Sequence, residues 1–217
     1  MSKLISILGA GESGVGAAIL AQKQGFEVWV SDYGSIKPQY KAELEEYGIS
    51  YEEGSHDTAK ILSSFKIIKS PGIADTVAIV SAAKEQKIPV VGEIEFAAEY
   101  TDATLIGITG TNGKTTTTML TFHILEKAGL NVGMAGNIGI SFAKQVALTD
   151  KEYYVLEISS FQLDGMYTVA LDYAVLLNIT PDHLDRYDSY QGYIDAKFKI
   201  NQNQNKNQRF IYCADDE

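Results

Sequence analysis

The amino-acid sequence predicts an α/β protein with mainly parallel sheets, and three observations carry that prediction. Short apolar runs such as Leu4–Leu8 and Thr104–Thr109 alternate with helix-length stretches, the pattern of parallel βαβ units wound on both sides of a sheet. A strand, a glycine loop and a helix follow one another twice, near residue 4 and again near residue 104. The chain has 217 residues, 45% hydrophobic and 21% charged, a globular mixture long enough for one large domain or two compact ones.

The elements are read in order. Leu4–Leu8 is a continuous apolar strand, residues 9–14 a glycine loop, and residues 15–24 a helix that Gly25 stops. Residues 28–31 form the next strand, with Asp32 at its end. An amphipathic helix over 36–47 stops at Gly48, and a strand at 67–69 runs into the turn Ser70-Pro71-Gly72. Residues 76–86 read as helix and 89–91 as strand. The pattern restarts near Glu93, with a helix over 93–100 and the strand Thr104–Thr109. A second glycine loop, 110–113, opens a helix over 115–128 that Gly129 closes. Residues 132–135, 153–158 and 173–178 read as strands and 190–200 as a helix. The polar run 201–208 reads as a solvated connection and 209–213 as a last strand. Two domains are expected, 1–92 and 93–217.

Composition narrows the function classes. A formal charge of −10 argues against a nucleic-acid-coating surface, which needs a basic face. Phosphate ligands stay open, because backbone N–H groups and one lysine hold an anion inside an acidic protein. The single cysteine, Cys213, excludes an internal disulfide and a cysteine-based zinc framework and fits a reducing cytoplasm. No signal peptide is read at the start of the chain. No apolar run approaches the ~18–20 residues that span a bilayer. A cytoplasmic protein with no membrane or nucleic-acid partner is expected.

Gly9-Ala10-Gly11-Glu12-Ser13-Gly14 fits the G-x-G-x-x-G pattern of a nucleotide loop between strand and helix. Asp32 follows at the distance of a ribose-binding carboxylate, so a nicotinamide oxidoreductase is one reading. A tight strand–helix turn that uses glycine for geometry alone is the other. Thr109-Gly110-Thr111-Asn112-Gly113-Lys114-Thr115-Thr116 carries the G-K-T core of a P-loop, although position 108 is isoleucine where the strict pattern has glycine. Its backbone N–H groups would cradle phosphates, Lys114 would reach the β- and γ-phosphates, and the Thr115 hydroxyl would ligate Mg²⁺. Glu157 follows an apolar strand at the sheet edge where α/β sites lie and is a second metal-ligand candidate. His56 and His123 match no motif.

The run from Thr109 to Thr116 resembles the ATP loop of the Mur ligases, the amide ligases that build the peptidoglycan stem peptide. So do Gly136-Asn137-Ile138-Gly139, Glu157-Ile158-Ser159-Ser160-Phe161-Gln162-Leu163 and residues 178–187, NITPDHLDRY. Ser70-Pro71-Gly72-Ile73 and Gly92-Glu93-Ile94-Glu95 are similar to the family's first domain and domain junction, so the resemblance runs the length of the chain. It implies a Rossmann-like N-terminal domain that holds the UDP end of a sugar-peptide substrate rather than NAD, followed by part of a P-loop-type ATP-binding central domain. Asn112 and the run 157–163 favour addition of D-glutamate to UDP-N-acetylmuramoyl-L-alanine, through an acyl phosphate, over addition of another amino acid.

The resemblance also implies roles. Gly110, Thr111, Asn112, Gly113, Lys114, Thr115 and Thr116 would bind ATP. Gly11, Glu12, Ser13, Asp32, Tyr33 and Gly72 would line the UDP groove, which displaces Asp32 from a ribose role. Asn137, Ser159 and Gln162 would contact the substrate's phosphate or muramoyl region. Thr115, Glu157, His183 and Lys197 would serve Mg²⁺, with Lys197 converted by CO₂ to a carbamate, and Lys114, His183 and Lys197 would be catalytic. Carbamylation needs a neutral amine, hence a lysine pKa lowered by burial or nearby cations. By the same resemblance a C-terminal D-glutamate-binding domain is absent. The chain alone is then expected to be inactive, and a UDP-sugar- or nucleotide-binding module is the other description of it.

Overall fold

The computed structural model describes residues 2–182, 186–187 and 189–215. The chain forms two compact units: Met1–Tyr100 with Ser141–Thr149, and Thr101–Ile140 with Asp150–Glu217. Each is built on one five-stranded sheet in which every strand pair is parallel.

In unit one the elements are β1 (Leu4–Leu8), α1 (Glu12–Lys23), β2 (Glu27–Asp32), α2 (Pro38–Glu46), β3 (Ser50–Glu53), α3 (Thr58–Leu62), β4 (Lys66–Lys69), α4 (Ala78–Glu85), β5 (Val90–Gly92) and α5 (Glu93–Ala98). The sheet order is β3-β2-β1-β4-β5. The chain therefore winds one way from β1 to β3, then restarts on the other side of β1 at β4. Ligands of open α/β sheets bind at that switch, outside the carboxyl ends of the strands. On one face Leu8, Ile67 and Val90 pack with Ile61 of α3 and with Ile79, Val80 and Ala83 of α4. Helix α1 is buried from Gly14 through Ala21, as befits a helix apolar on every side.

What covers α1 comes from much later in the chain. The helix α7 (Phe142–Leu148) belongs to unit one. Its Phe142 and Ala143 are fully buried, and a Cβ at Gly16 of α1 would stand 1.8 Å from Ser141 Oγ, so that glycine permits the close approach. Lys144 pairs with Glu43 of α2, and Lys23 Nζ donates to the Ala147 carbonyl at 3.1 Å. At the head of α7 the buried Glu93 carboxylate accepts from Ser141 Oγ–H at 2.5 Å and from the Ala143 N–H at 2.9 Å. Burial pushes its carboxyl up to about 7 against these hydrogen bonds and the one from Ser13.

In unit two the elements are β6 (Thr104–Thr109), α6 (Lys114–Lys127), β7 (Val132–Gly136), β8 (Tyr153–Glu157), α8 (Ser160–Leu163), β9 (Tyr173–Leu176), α9 (Tyr190–Phe198) and β10 (Arg209–Tyr212). The sheet order is β10-β9-β6-β8-β7. Ile108, Val132 and Val155 form its core against Phe122 and Leu125 of α6.

Several expectations are corrected. Helix α1 starts at Glu12 rather than at residue 15, so Glu12 to Gly14 form its first turn. The elements β3, α3, α7 and α8 were not expected. Glu93, Ile94, Phe96 and Ala97 of α5 are buried in unit one. The polar run 201–208 is no merely solvated connection. Gln202, Asn203 and Gln204 donate side-chain amide hydrogens to the carbonyls of Met166, Tyr167, Val169 and Leu171 at 2.8 to 3.0 Å, so the run satisfies the backbone of a neighbouring loop. Among the described residues no helix is long and apolar enough to cross a membrane.

Candidate functional site

Each unit carries a glycine loop at the carboxyl edge of its sheet, between its first strand and the helix that follows. In unit one the turn Gly9–Gly11 is packed so tightly that a Cβ at Gly14 would stand 1.9 Å from the Gly9 carbonyl oxygen. At Gly11, by contrast, a Cβ would meet nothing within 4 Å. The fold itself does not demand glycine there, and the space is part of a groove of about 1250 Å³ lined by Gly9, Gly11, Asp32, Tyr33, His56 and Gly72 among others. Helix α1 has no side-chain cap at Gly11, so its first-turn N–H groups are left for an anion. Asp32 is occupied: its carboxylate accepts from the Ala10 N–H at 2.7 Å and the Gly34 N–H at 2.8 Å. It fastens the glycine loop to the end of β2. The side chains of Glu12 and Ser13 turn toward the α7 junction, where Glu12 accepts from the Ser141 N–H at 3.3 Å and Ser13 bonds Glu93. Tyr33 is 75% exposed on the groove.

In unit two Gly113 caps α6 with a positive φ of 81° and no side-chain hydrogen bond, again leaving the helix N–H groups open. Lys114 Nζ donates to the carbonyls of Gly110 at 2.9 Å and Thr111 at 2.8 Å. An ammonium has three protons, so one is left for a ligand. The loop is braced from beyond β9. Asn178 accepts from the Asn112 N–H at 2.9 Å and donates back to the Asn112 carbonyl at 3.1 Å. The Thr111 hydroxyl contacts Thr180 and Tyr193.

Glu157, at the end of β8 and 2% exposed, accepts from Thr115 Oγ1–H at 2.7 Å and from Asn137 Nδ2–H at 2.8 Å. Lys197 of α9 is 1% exposed. Its Nζ donates to the Gly110 carbonyl at 2.8 Å, the same oxygen that Lys114 engages, and lies 4.6 Å from the Tyr193 ring centroid. Burial, and then the Lys114 charge, pull its pKa down to about 8, while Asp182 opposes the shift.

The profile of the Mur ligase middle domain matches residues 108–217, and that of the Mur ligase MurD-like N-terminal domain matches residues 3–92. This chain belongs to the Mur ligase family. Similar curated Mur ligases include UDP-N-acetylmuramoylalanine--D-glutamate ligase of Porphyromonas gingivalis strain W83, 59% identical over 98% of this chain and 47% of the relative. The protein of the same name from Bacteroides fragilis is 56% identical over 99% of this chain and 48% of the relative. The chain thus spans about half the length of the curated relatives it matches. Among solved Mur ligases, the UDP-N-acetylmuramate:L-alanyl-gamma-D-glutamyl-meso-diaminopimelate ligase of Neisseria meningitides superposes with a TM-score of 0.69 at 21% identity, over 100% of this chain and 73% of that one. The UDP-N-acetylmuramate-alanine ligase MurC of Thermotoga maritima superposes with a TM-score of 0.62 at 21% identity, over 99% and 50%. Both show the shared fold.

Against the residues that the Mur ligase resemblance singles out, unit two brings Gly110, Thr111, Lys114 and Lys197 into one hydrogen-bonded set and Thr115, Asn137 and Glu157 into a second, the two joined through the adjacent residues Lys114 and Thr115 at the head of α6. Asn112 and Thr116 are exposed at the loop. Ser159 and Gln162 hold each other in a capping box at the start of α8. His183 lies outside the described residues. Sequence reasoning missed Asn178 and Tyr193, which brace the loop, and His56, which lines the groove of unit one. Among the described residues no group of three or more His, Cys, Asp or Glu is placed to hold a metal.

Proposed function

We propose that this chain carries the UDP-substrate and ATP sites of a ligase that adds D-glutamate to UDP-N-acetylmuramoyl-L-alanine. The observation that carries the reading is the cluster of Lys114, Thr115, Glu157 and Lys197 around the open end of α6, in a chain 59% identical to a ligase of that name. ATP transfers its γ-phosphoryl group to the substrate carboxylate and leaves as ADP; the amine of D-glutamate attacks the acyl carbon, a C–N bond forms, the C–O bond breaks with its electron pair going to inorganic phosphate, and the amine gives up a proton. Such chemistry needs charge neutralisation and alignment more than covalent help. The N–H groups at the head of α6 take the phosphate oxygens, and the third Lys114 proton meets the γ-phosphate.

The Thr115 hydroxyl and the Glu157 carboxylate are hard oxygens already 2.7 Å apart. They fit Mg²⁺, which keeps several waters and needs few protein ligands. Bound there, Mg²⁺ supplies charge neutralisation on the β- and γ-phosphate oxygens. Asn137, which holds the other Glu157 oxygen, orients the carboxylate. His183 is assigned to the same metal chemistry on the resemblance alone. Lys197 fits carbamylation: its neutral amine attacks CO₂, an N–C bond forms and a proton is released. The Lys114 charge that disfavours the Lys197 ammonium stabilises an anion in its place. In unit one the groove takes the UDP portion, with its phosphates at Gly11. The nucleotide-linked substrate places the reaction in the cytoplasm.

Isothermal calorimetry tests the reading. The chain is expected to bind UDP-N-acetylmuramoyl-L-alanine and Mg-ATP separately, each with one site. Failure to bind either would refute it.

A further inference from the structure

Unit one contains a hydrogen-bond relay that the phosphate loop leaves unused. Ser31 on β2 is fully buried and stands opposite Glu52 on β3. Glu52 Oε1 accepts from Trp29 Nε1–H at 3.1 Å, from the Asp57 N–H at 2.8 Å and from Ser31 Oγ–H at 2.7 Å. His56 Nδ1 lies 2.6 Å from the same Ser31 oxygen.

The direction of the relay follows from what each group can do. A carboxylate accepts and does not donate. Were the Ser31 proton turned toward His56, two acceptor oxygens would face each other at 2.7 Å. The proton therefore goes to Glu52, and the Ser31 oxygen accepts from His56 Nδ1–H. A neutral imidazole protonated on Nδ1 presents Nε2 as an acceptor. Among the described residues no hydrogen bond engages that nitrogen. His56 lines the groove beside Tyr33, whose ring centroid is 5.7 Å away at an interplanar angle of 47°.

We infer that His56 reads the base of the nucleotide in this groove, its Nε2 accepting the imide N–H of a uracil ring while Tyr33 offers a ring face. The inference rests on the proposed uridine-linked substrate and deepens it. Phosphates at the head of α1 lie at β1, and His56 follows β3, two strands away. That is roughly 10 Å at the usual strand spacing, room for a ribose. Cytosine presents a ring-nitrogen acceptor at the corresponding position, so acceptor would face acceptor. A site built around a ligand N–H discriminates against analogues lacking it, because its acceptor is then left facing a second acceptor or a methyl group.

Calorimetry on the intact chain tests this with UDP, CDP and the diphosphate of N3-methyluridine, which lacks the imide proton. UDP is expected to bind about tenfold more tightly than either, the effect of one hydrogen bond of about 1.4 kcal/mol. In His56→Leu the three are expected to fall within about twofold of one another, while His56→Gln, which keeps an acceptor, recovers part of the preference. Binding of UDP and N3-methyl-UDP with equal affinity by the unaltered chain would overturn the inference and leave the groove's nucleotide role standing. A preference that survives His56→Leu would also overturn it. Absence of UDP binding would refute the groove's role and the inference together. Thermal melting checks that the variants fold, and the wild-type comparison decides the matter if they do not.

Discussion

Glu93→Gln is expected to remove a specific pH dependence from the stability of unit one. The Glu93 carboxyl is raised from 4.5 to about 7, first by burial, with Glu12 nearby adding to it. Between those values the folded chain keeps a proton that the unfolded chain releases. Stability therefore falls as pH rises from 4.5 to 7 and levels off above it. At about 1.36 kcal/mol per unit the loss is roughly 3 kcal/mol. Glutamine keeps an oxygen to accept from Ser141 and Ala143 but does not titrate. Its amide hydrogens enter a pocket already rich in donors, which shifts the variant's stability by an amount that does not depend on pH. Trp29, the only tryptophan, lies on β2 of unit one, so its fluorescence reports the unfolding of the unit that holds Glu93. Urea titrations of both proteins at intervals from pH 4.5 to 8 should converge or cross toward acid, with the variant gaining roughly 3 kcal/mol on the parent by pH 8. Parallel stability curves would show that Glu93 does not titrate in this range and would refute the burial argument.

Three further outcomes are expected. Gly14→Ala places a methyl 1.9 Å from the Gly9 carbonyl and should lower unit-one stability by about 2–4 kcal/mol; a Trp29-monitored melt indistinguishable from the parent's would contradict the packing. Lys114→Ala should abolish calorimetric binding of Mg-ATP while UDP affinity stays within about twofold, and equal loss of both would show that the two loops do not serve separate ligands. Mass spectrometry of the unacidified protein in bicarbonate should find one added CO₂, absent from Lys197→Ala. Occupancy should rise with pH toward about 8, where the amine becomes neutral; no adduct at any pH would reject the carbamate.

The strands that were legible in the sequence are those buried on both faces. Leu4–Leu8 and Thr104–Thr109 are continuous apolar runs, which parallel central strands require. Strand β3, with the sequence SYEE, lies at the edge of its sheet and carries half-exposed or exposed side chains, so it has no such run. The groove residue His56 was lost with it, because its meaning depends on Ser31 and Glu52 standing in register. The head of α6 was legible because its chemistry is local: glycine, lysine and threonine lie within one turn. Lys197 reads as a surface lysine on any periodicity argument. Its burial arises from a contact with Gly110, a residue far away in the chain. Helix α7 was missed for a related reason, since its apolar face is matched by α1 rather than by neighbours in sequence.

That last pairing sets a timetable for synthesis. A ribosome delivers residues from the N-terminus, and domains ordinarily fold as they emerge. Unit one cannot do so, because Ser141–Thr149 is made after β6, α6 and β7 of the other unit. Until then α1 waits with Gly16 and its neighbouring alanines uncovered and Glu93 without its helix. A nascent chain stalled between residues 100 and 140 would hold every strand of the first sheet and still present an apolar seam to chaperones and proteases.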